Sequence, residues 1–120
     1  MAWKWDQSAG ELSHNGTLVA KGYSGKGAAK NNPALEHVQA TGPIPRGWWR
    51  IGPPWTSKRT GPYVMSLSPV GHAARGRSAF QIHGDSVRAP GTASSGCIIL
   101  ARPVRERIWK SGDHELEVVE

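Results

Sequence analysis

Apolar residues in this chain fall in short alternating runs, cut every few positions by glycine or proline. In "WKWD", Trp3 and Trp5 share one face of an extended segment, because strand side chains alternate with period two. "GELSHNGTLVAKGY" sets Leu12, Leu18 and Ala20 around Asn15-Gly16, a pair that favours a type I′ turn, and predicts a hairpin. "GPIPRGWWRIGPPW" predicts a turn, a strand from Trp48 to Ile51 and a second turn at the Gly-Pro-Pro. In "PYVMSLSP", Val64 and Ser66 face away from Met65 and Leu67; in "SAFQIHGD", Phe80 and Ile82 face away from Gln81 and His83. "CIILA" is a continuous apolar run of buried-strand length. "RPVRERIWKSG" is the one good helix: Pro103 suits the first turn, Val104, Ile108 and Trp109 line one side, and Gly112 can cap the end. "HELEVVE" is expected to close the chain as an edge strand. About eight short strands and one short helix predict a mainly β domain, a small barrel or sandwich.

Composition narrows the classes. The 120 residues suit one domain over 1–120, and 38% hydrophobic with 20% charged content is an ordinary globular balance. No apolar run has membrane-span length, and "MAWKWDQSAG" lacks a signal-peptide core, so the expectation is a chain made in the cytoplasm and exported by another route. A single cysteine excludes an internal disulfide. The net charge of +6 is spread along the sequence and favours polyanionic surroundings, whether nucleic acid, anionic membrane or cell wall.

The chemistry concentrates in "ASSGCIIL". A lone cysteine beside an apolar run is ordinarily a small buried hydrophobe. Ser94, Ser95 and Gly96, however, build a turn rather than a core, and Gly96 lets backbone approach a ligand without a Cβ in the way. A nucleophile ending such a turn, with the N–H groups of Gly96 and Cys97 aimed at one point, has an oxyanion site. The thiol needs a base. His83 stands at a predicted strand end, and the intervening "GDSVRAPGTASSG" is a loop without an apolar run, able to bring the two strand ends together. Asp85, two positions on, is placed either to touch the imidazole or substrate or to start the turn. Arg75 and Arg77 are candidates for a substrate carboxylate, and His72 for the cleft wall. No chemical role follows for "KNNP", and the six tryptophans read as core and cleft wall. Two other classes fit less well. A zinc peptidase would need His83, Asp85 and His72 or His114, but there is no His-Glu-x-x-His or paired-cysteine spacing. A nucleic-acid binder would stack bases on Trp3-Lys4-Trp5 and Trp48-Trp49-Arg50.

"IHGD", a loop, and "SSGCIIL" resemble the active-site stretch of L,D-transpeptidases. "WKWDQSAGELSHNG", "GYSGKGAAKNNP", "GPIPRGWWRIG", "LSPVGHAARGRSAFQIHGD", "TASSGCIIL" and "SGDHELEVV" together are similar to the L,D-transpeptidase effectors of the type VI secretion system, over residues 3–119. Ser95 stands where general L,D-transpeptidases have a histidine, which leaves His83 as the nearby base. The resemblance implies an L,D-transpeptidase-like β domain acting without a cofactor or metal on tetrapeptide stems of peptidoglycan. It implies Cys97 as nucleophile, His83 as base, the Gly84 carbonyl orienting the imidazole, and the Gly96–Cys97 turn holding the oxyanion. Ser94, Ser95, Asp85, His72 and Arg77 are then the candidates to line the substrate site. Expected partners are the stems, D-amino acids as acceptors, an immunity protein and a component of the secretion spike, with no nucleic acid; the expected place of action is the periplasm of a target cell.

Overall fold

The computed structural model describes residues 2–120. Nine strands form one sheet: β1 (Trp3–Asp6), β2 (Glu11–His14), β3 (Thr17–Lys21), β4 (Tyr23–Ser24), β5 (Gly47–Ser57), β6 (Gly61–Val70), β7 (Gln81–His83), β8 (Ile98–Ile99) and β9 (Glu115–Val119). One helix, α1 (Arg102–Lys110), joins β8 to β9, and three short 3₁₀ turns lie in the connections. The order across the sheet is β3-β2-β1-β9-β5-β6-β7-β8-β4. Its two ends, β3 and β4, are consecutive pieces of one extended segment with only Gly22 between them. The sheet therefore curls until one stretch of chain serves both edges, the barrel-like solution to exposed strand edges. Gly22 permits the handover from β2 to β8, since a Cβ there would stand 2.1 Å from the Ile99 carbonyl oxygen.

Most predicted elements form, for the reasons their patterns gave. Trp3 and Trp5 are buried, and Asn15 and Gly16 take positive φ of 53° and 78°, as a type I′ turn requires. Met65, Leu67, Phe80 and Ile82 enter the same core as Trp49, Ile98, Leu116 and Val118. α1 has Pro103 in its first turn and buries Ile108 and Arg105; Val104 and Trp109 pack partly against the core.

Two expectations fail. The strand begun at Trp48 does not turn at Gly52-Pro53-Pro54 but runs to Ser57, its pairing with β6 slipping between Ile51 and Pro54. The irregularity absorbs prolines that a regular ladder would exclude. "HELEVVE" is not an edge: β9 lies parallel to β1 on one side and antiparallel to β5 on the other. Leu116 and Val118 are buried, and a strand with one apolar face is equally suited to a central place, so pattern alone did not decide its position.

Candidate active site

The site forms where β7 and β8 run parallel, with Ile82 opposite Ile98 and His83 opposite Ile99. This register sets Cys97, just before β8, level with Gln81, so His83 lies two positions further along the neighbouring strand. Alternation in β7 sends Ile82 to the core and leaves Gln81 and His83 to a cleft of ≈ 330 Å³ that Cys97 and the buried Phe80 just before the strand also line. Arg59 and Thr60 from the tip between β5 and β6, Gln39 and Ala40 from the loop before β5, and Ser95 and Gly96 complete much of its wall.

The turn before Cys97 is held from several sides. Ser94, 1% exposed, accepts hydrogen bonds at Oγ from the Gly25 N–H (2.8 Å) and the Gly96 N–H (3.0 Å), and donates to the Cys97 carbonyl (2.6 Å). Ser24 Oγ donates to the Gly96 carbonyl at 2.8 Å. Arg77 Nη2 donates to the carbonyls of Gly42 (2.9 Å) and Ser95 (3.1 Å), and Nη1 to those of Glu36 (2.6 Å) and Pro43 (2.9 Å). Gly96 has φ +138°, and a Cβ on it would stand 2.5 Å from Arg77 Nη2. No larger residue fits without moving the arginine that fixes the turn.

His83 is buried, and its Nδ1 lies 2.8 Å from the Gly84 carbonyl. A carbonyl only accepts, so Nδ1 carries the proton and Nε2 the basic lone pair. Burial lowers the imidazole pKa, and the charges of Arg105 and Arg59 lower it further, against the opposing effects of the Gly84 hydrogen bond and Asp85. Burial pushes the Cys97 thiol up, although the Gln81 backbone and the charges of Arg59 and Arg77 act the other way. The thiol donates to the Ala79 carbonyl at 3.7 Å rather than to the imidazole. Both groups thus rest neutral at pH 7: a free base and a protonated thiol facing one cleft.

Several sequence-derived assignments need correction. The Gly96 N–H is occupied by Ser94 Oγ and does not face the cleft as an oxyanion donor; among the described residues the Cys97 N–H has no hydrogen-bond acceptor and remains available. Ser94 is a buried brace of the turn, not a substrate contact. Arg77 lines the cleft, but its four Nη hydrogen bonds to carbonyls make it a support for two loops rather than a carboxylate fork. Arg75 pairs with Glu36 at 2.9 Å. His72 lies outside the cleft, with Nε2 2.9 Å from the Trp48 carbonyl and Nδ1 accepting from the Ala74 N–H. Asp85 also lies outside it and takes the turn-starting role, the second of its two expected ones: its carboxylate accepts from Tyr23 Oη (2.6 Å) and from the N–H groups of Ser86 and Gly91, closing the loop between His83 and Cys97. Ser95 remains at the cleft with its side chain exposed.

The rival readings fare no better. Among the described residues no three His, Cys, Asp or Glu side chains gather as a metal site. Trp3, Trp5 and Trp49 are at most 1% exposed, which removes three of the four tryptophans named for base stacking and leaves only the exposed Trp48. Among the described residues no helix is long and apolar enough to cross a membrane. Sequence reasoning passed over Arg59, in "TSKRTG", because nothing in that short stretch signals which other loop it will face. The available cue was the hairpin: a basic residue at its tip projects beyond the sheet.

Fold and site together define a small wrapped β domain with a cysteine and a neutral histidine lining one cleft. The family model described as the Tlde1 domain matches residues 19–119, and the chain belongs to this family of type VI secretion effectors that target peptidoglycan. No curated protein and no solved structure matches the chain.

Proposed function

We propose that this domain is a cysteine-dependent L,D-carboxypeptidase and L,D-transpeptidase acting on tetrapeptide stems. The observation that carries the reading is the shared cleft of Cys97 and His83, with the imidazole oriented by the Gly84 carbonyl. His83 Nε2 takes the thiol proton as Cys97 Sγ attacks the diaminopimelate carbonyl carbon, and the Cys97 N–H holds the developing oxyanion. The C–N bond then breaks, the proton passes to the leaving nitrogen, and D-alanine departs to leave a thioester. Attack by water gives a tripeptide; attack by the amine of a D-amino acid gives an exchanged tetrapeptide. In each case the S–C bond breaks and the thiol is regenerated.

Either outcome removes donor stems from cross-linking, which suits a toxin. In this reading the chain acts in the periplasm of a target cell, and the producing cell carries an immunity protein and a spike component for its delivery. Mass spectrometry of tetrapeptide muropeptides, with and without an excess of a D-amino acid, tests the chemistry. The expected result is loss of one D-alanine alone, and its replacement by the added D-amino acid. Stems left intact by the reduced protein would remove the enzymatic reading. Expression with an added periplasmic signal should be toxic and cytoplasmic expression harmless; equal toxicity would argue against a wall target.

A further inference from the structure

The cleft contains a cation with no counterion. Among the described residues, Arg59 and Arg77 are its only charged lining residues besides the neutral His83 and Cys97, and no Asp or Glu lines it. Arg77 is committed to loop carbonyls. The Arg59 side chain is exposed and makes no hydrogen bond or ion pair among the described residues. Its backbone, by contrast, is well fixed. Ser57 Oγ accepts from the N–H groups of Arg59 (3.2 Å) and Thr60 (3.1 Å), and Thr60 Oγ1 donates to Gln81 Oε1 at 3.0 Å. The tip is therefore tied to β7 two positions before His83, and its arginine is presented to the cleft on a rigid mount. A planar fork of donors in a cleft without acids selects a carboxylate.

Resting on the function proposed above, we propose that Arg59 is a specificity residue that holds the α-carboxylate of the terminal D-amino acid. The scissile carbonyl and this carboxylate are separated by one residue, so both must lie in the same small cleft. One anchor would serve both half-reactions: it grips the leaving D-alanine, then the incoming D-amino acid, which carries the same group. The carboxylate remains attached throughout; only the S–C and C–N bonds form and break. Water needs no such anchor, so Arg59 also biases the thioester toward exchange.

The test compares wild type, Arg59→Gln and Arg59→Lys on three synthetic tetrapeptide stems: unmodified, amidated at the terminal D-alanine, and amidated at the diaminopimelate side chain. Wild type should prefer the free over the amidated terminus by about 10- to 100-fold in kcat/KM, the worth of one charge-assisted pair. Arg59→Gln should lose that preference mainly through KM and shift product from exchanged tetrapeptide to tripeptide. Arg59→Lys should recover part of it, because charge returns without the fork. If Arg59→Gln erases the preference at the side-chain carboxylate, or keeps the terminal preference, the assignment is overturned. Failure of wild type on every stem would instead sink the enzymatic reading, and this inference with it. The Arg59 side chain braces nothing, so loss of fold would not mimic these outcomes.

Discussion

At the scale of the residue, the site is set by where burial leaves two protons. A cysteine and a histidine together often exist as a thiolate–imidazolium pair, reactive over a broad acidic range. Here burial disfavours both charges: it lowers the His83 pKa and raises that of Cys97, and the nearby arginines oppose an imidazolium. The neutral pair follows, and it has a measurable signature. Alkylation of Cys97 by iodoacetamide should climb steadily with pH towards a midpoint above the ordinary thiol value of 9.0, with no plateau near neutrality, and His83→Ala should leave that profile nearly unchanged. Turnover of stems should behave differently. Because the imidazole must be unprotonated, and its pKa lies below the ordinary 6.5, activity should persist somewhat below pH 6.5 before falling. His83→Ala and Cys97→Ala should each abolish thioester formation, and the double variant should be no worse, since the two act as one unit. An alkylation plateau between about pH 5 and 8 that vanishes in His83→Ala would show a preformed ion pair and refute the neutral-pair account.

At the scale of the element, the turn at 94–97 was legible as a turn with a nucleophile at its end, but its internal wiring was not. Sequence placed Gly96 where a small residue was needed; it did not show that Ser94 Oγ captures the Gly96 N–H, because the conformation of a Ser-Ser-Gly segment depends on what packs around it. Here Arg77, Ser24 and Gly25 do so, from segments eighteen to about seventy positions away. His83 and the Gly84 carbonyl were legible because they are neighbours in sequence. Asp85 takes the turn-starting role that its position also offered, whereas Arg77 and His72 were misjudged because the carbonyls they meet, those of Glu36, Gly42 and Trp48 among them, are distant in sequence. The same distinction separates two glycines. Gly16 has φ +78° and open space within 4 Å of where a Cβ would stand, so Gly16→Ala should cost only the backbone strain, about 1 kcal/mol, and leave activity intact. Gly96→Ala adds contacts at 2.5 Å with Arg77 and 2.9 Å with Phe80 to its own strained φ. It should cost on the order of 3 kcal/mol and abolish turnover even where the chain still folds. Denaturant midpoints with activity on the folded fraction would check this; an active Gly96→Ala variant would mean the turn is not a fixed frame for Cys97.

At the scale of the whole molecule, one carboxylate joins segments that the sheet leaves apart. Glu36, 4% exposed, accepts from Gln7 Nε2 (2.9 Å) after β1, from the Arg46 backbone N–H (3.1 Å) and side chain (3.0 Å) before β5, and from Arg75 Nε (3.0 Å) after β6. Arg46 continues to Glu120 at 2.7 Å, and the Glu36 carbonyl accepts from Arg77, so the network reaches from the chain's end to the cleft. Burial alone would raise the Glu36 pKa, but the hydrogen bonds from Gln7, Arg46 and Arg75 prevail and bring it from 4.5 to about 2. The folded state then binds this proton less readily than the unfolded chain. Glu36 ionisation contributes stability that is complete above about pH 4.5 and lost as pH falls toward 2, on the order of 3 kcal/mol in all. Buried neutral His83 adds a separate acid loss beginning near 6.5, where the unfolded chain first takes up its proton. Comparing wild type with Glu36→Gln cancels the His83 contribution. The variant should be weaker by a few kcal/mol at pH 7, and urea titrations should show the gap closing between about pH 4.5 and 2.5. A gap that stays constant across that window would assign the loss to packing and hydrogen-bond shape at Glu36, not to its charge.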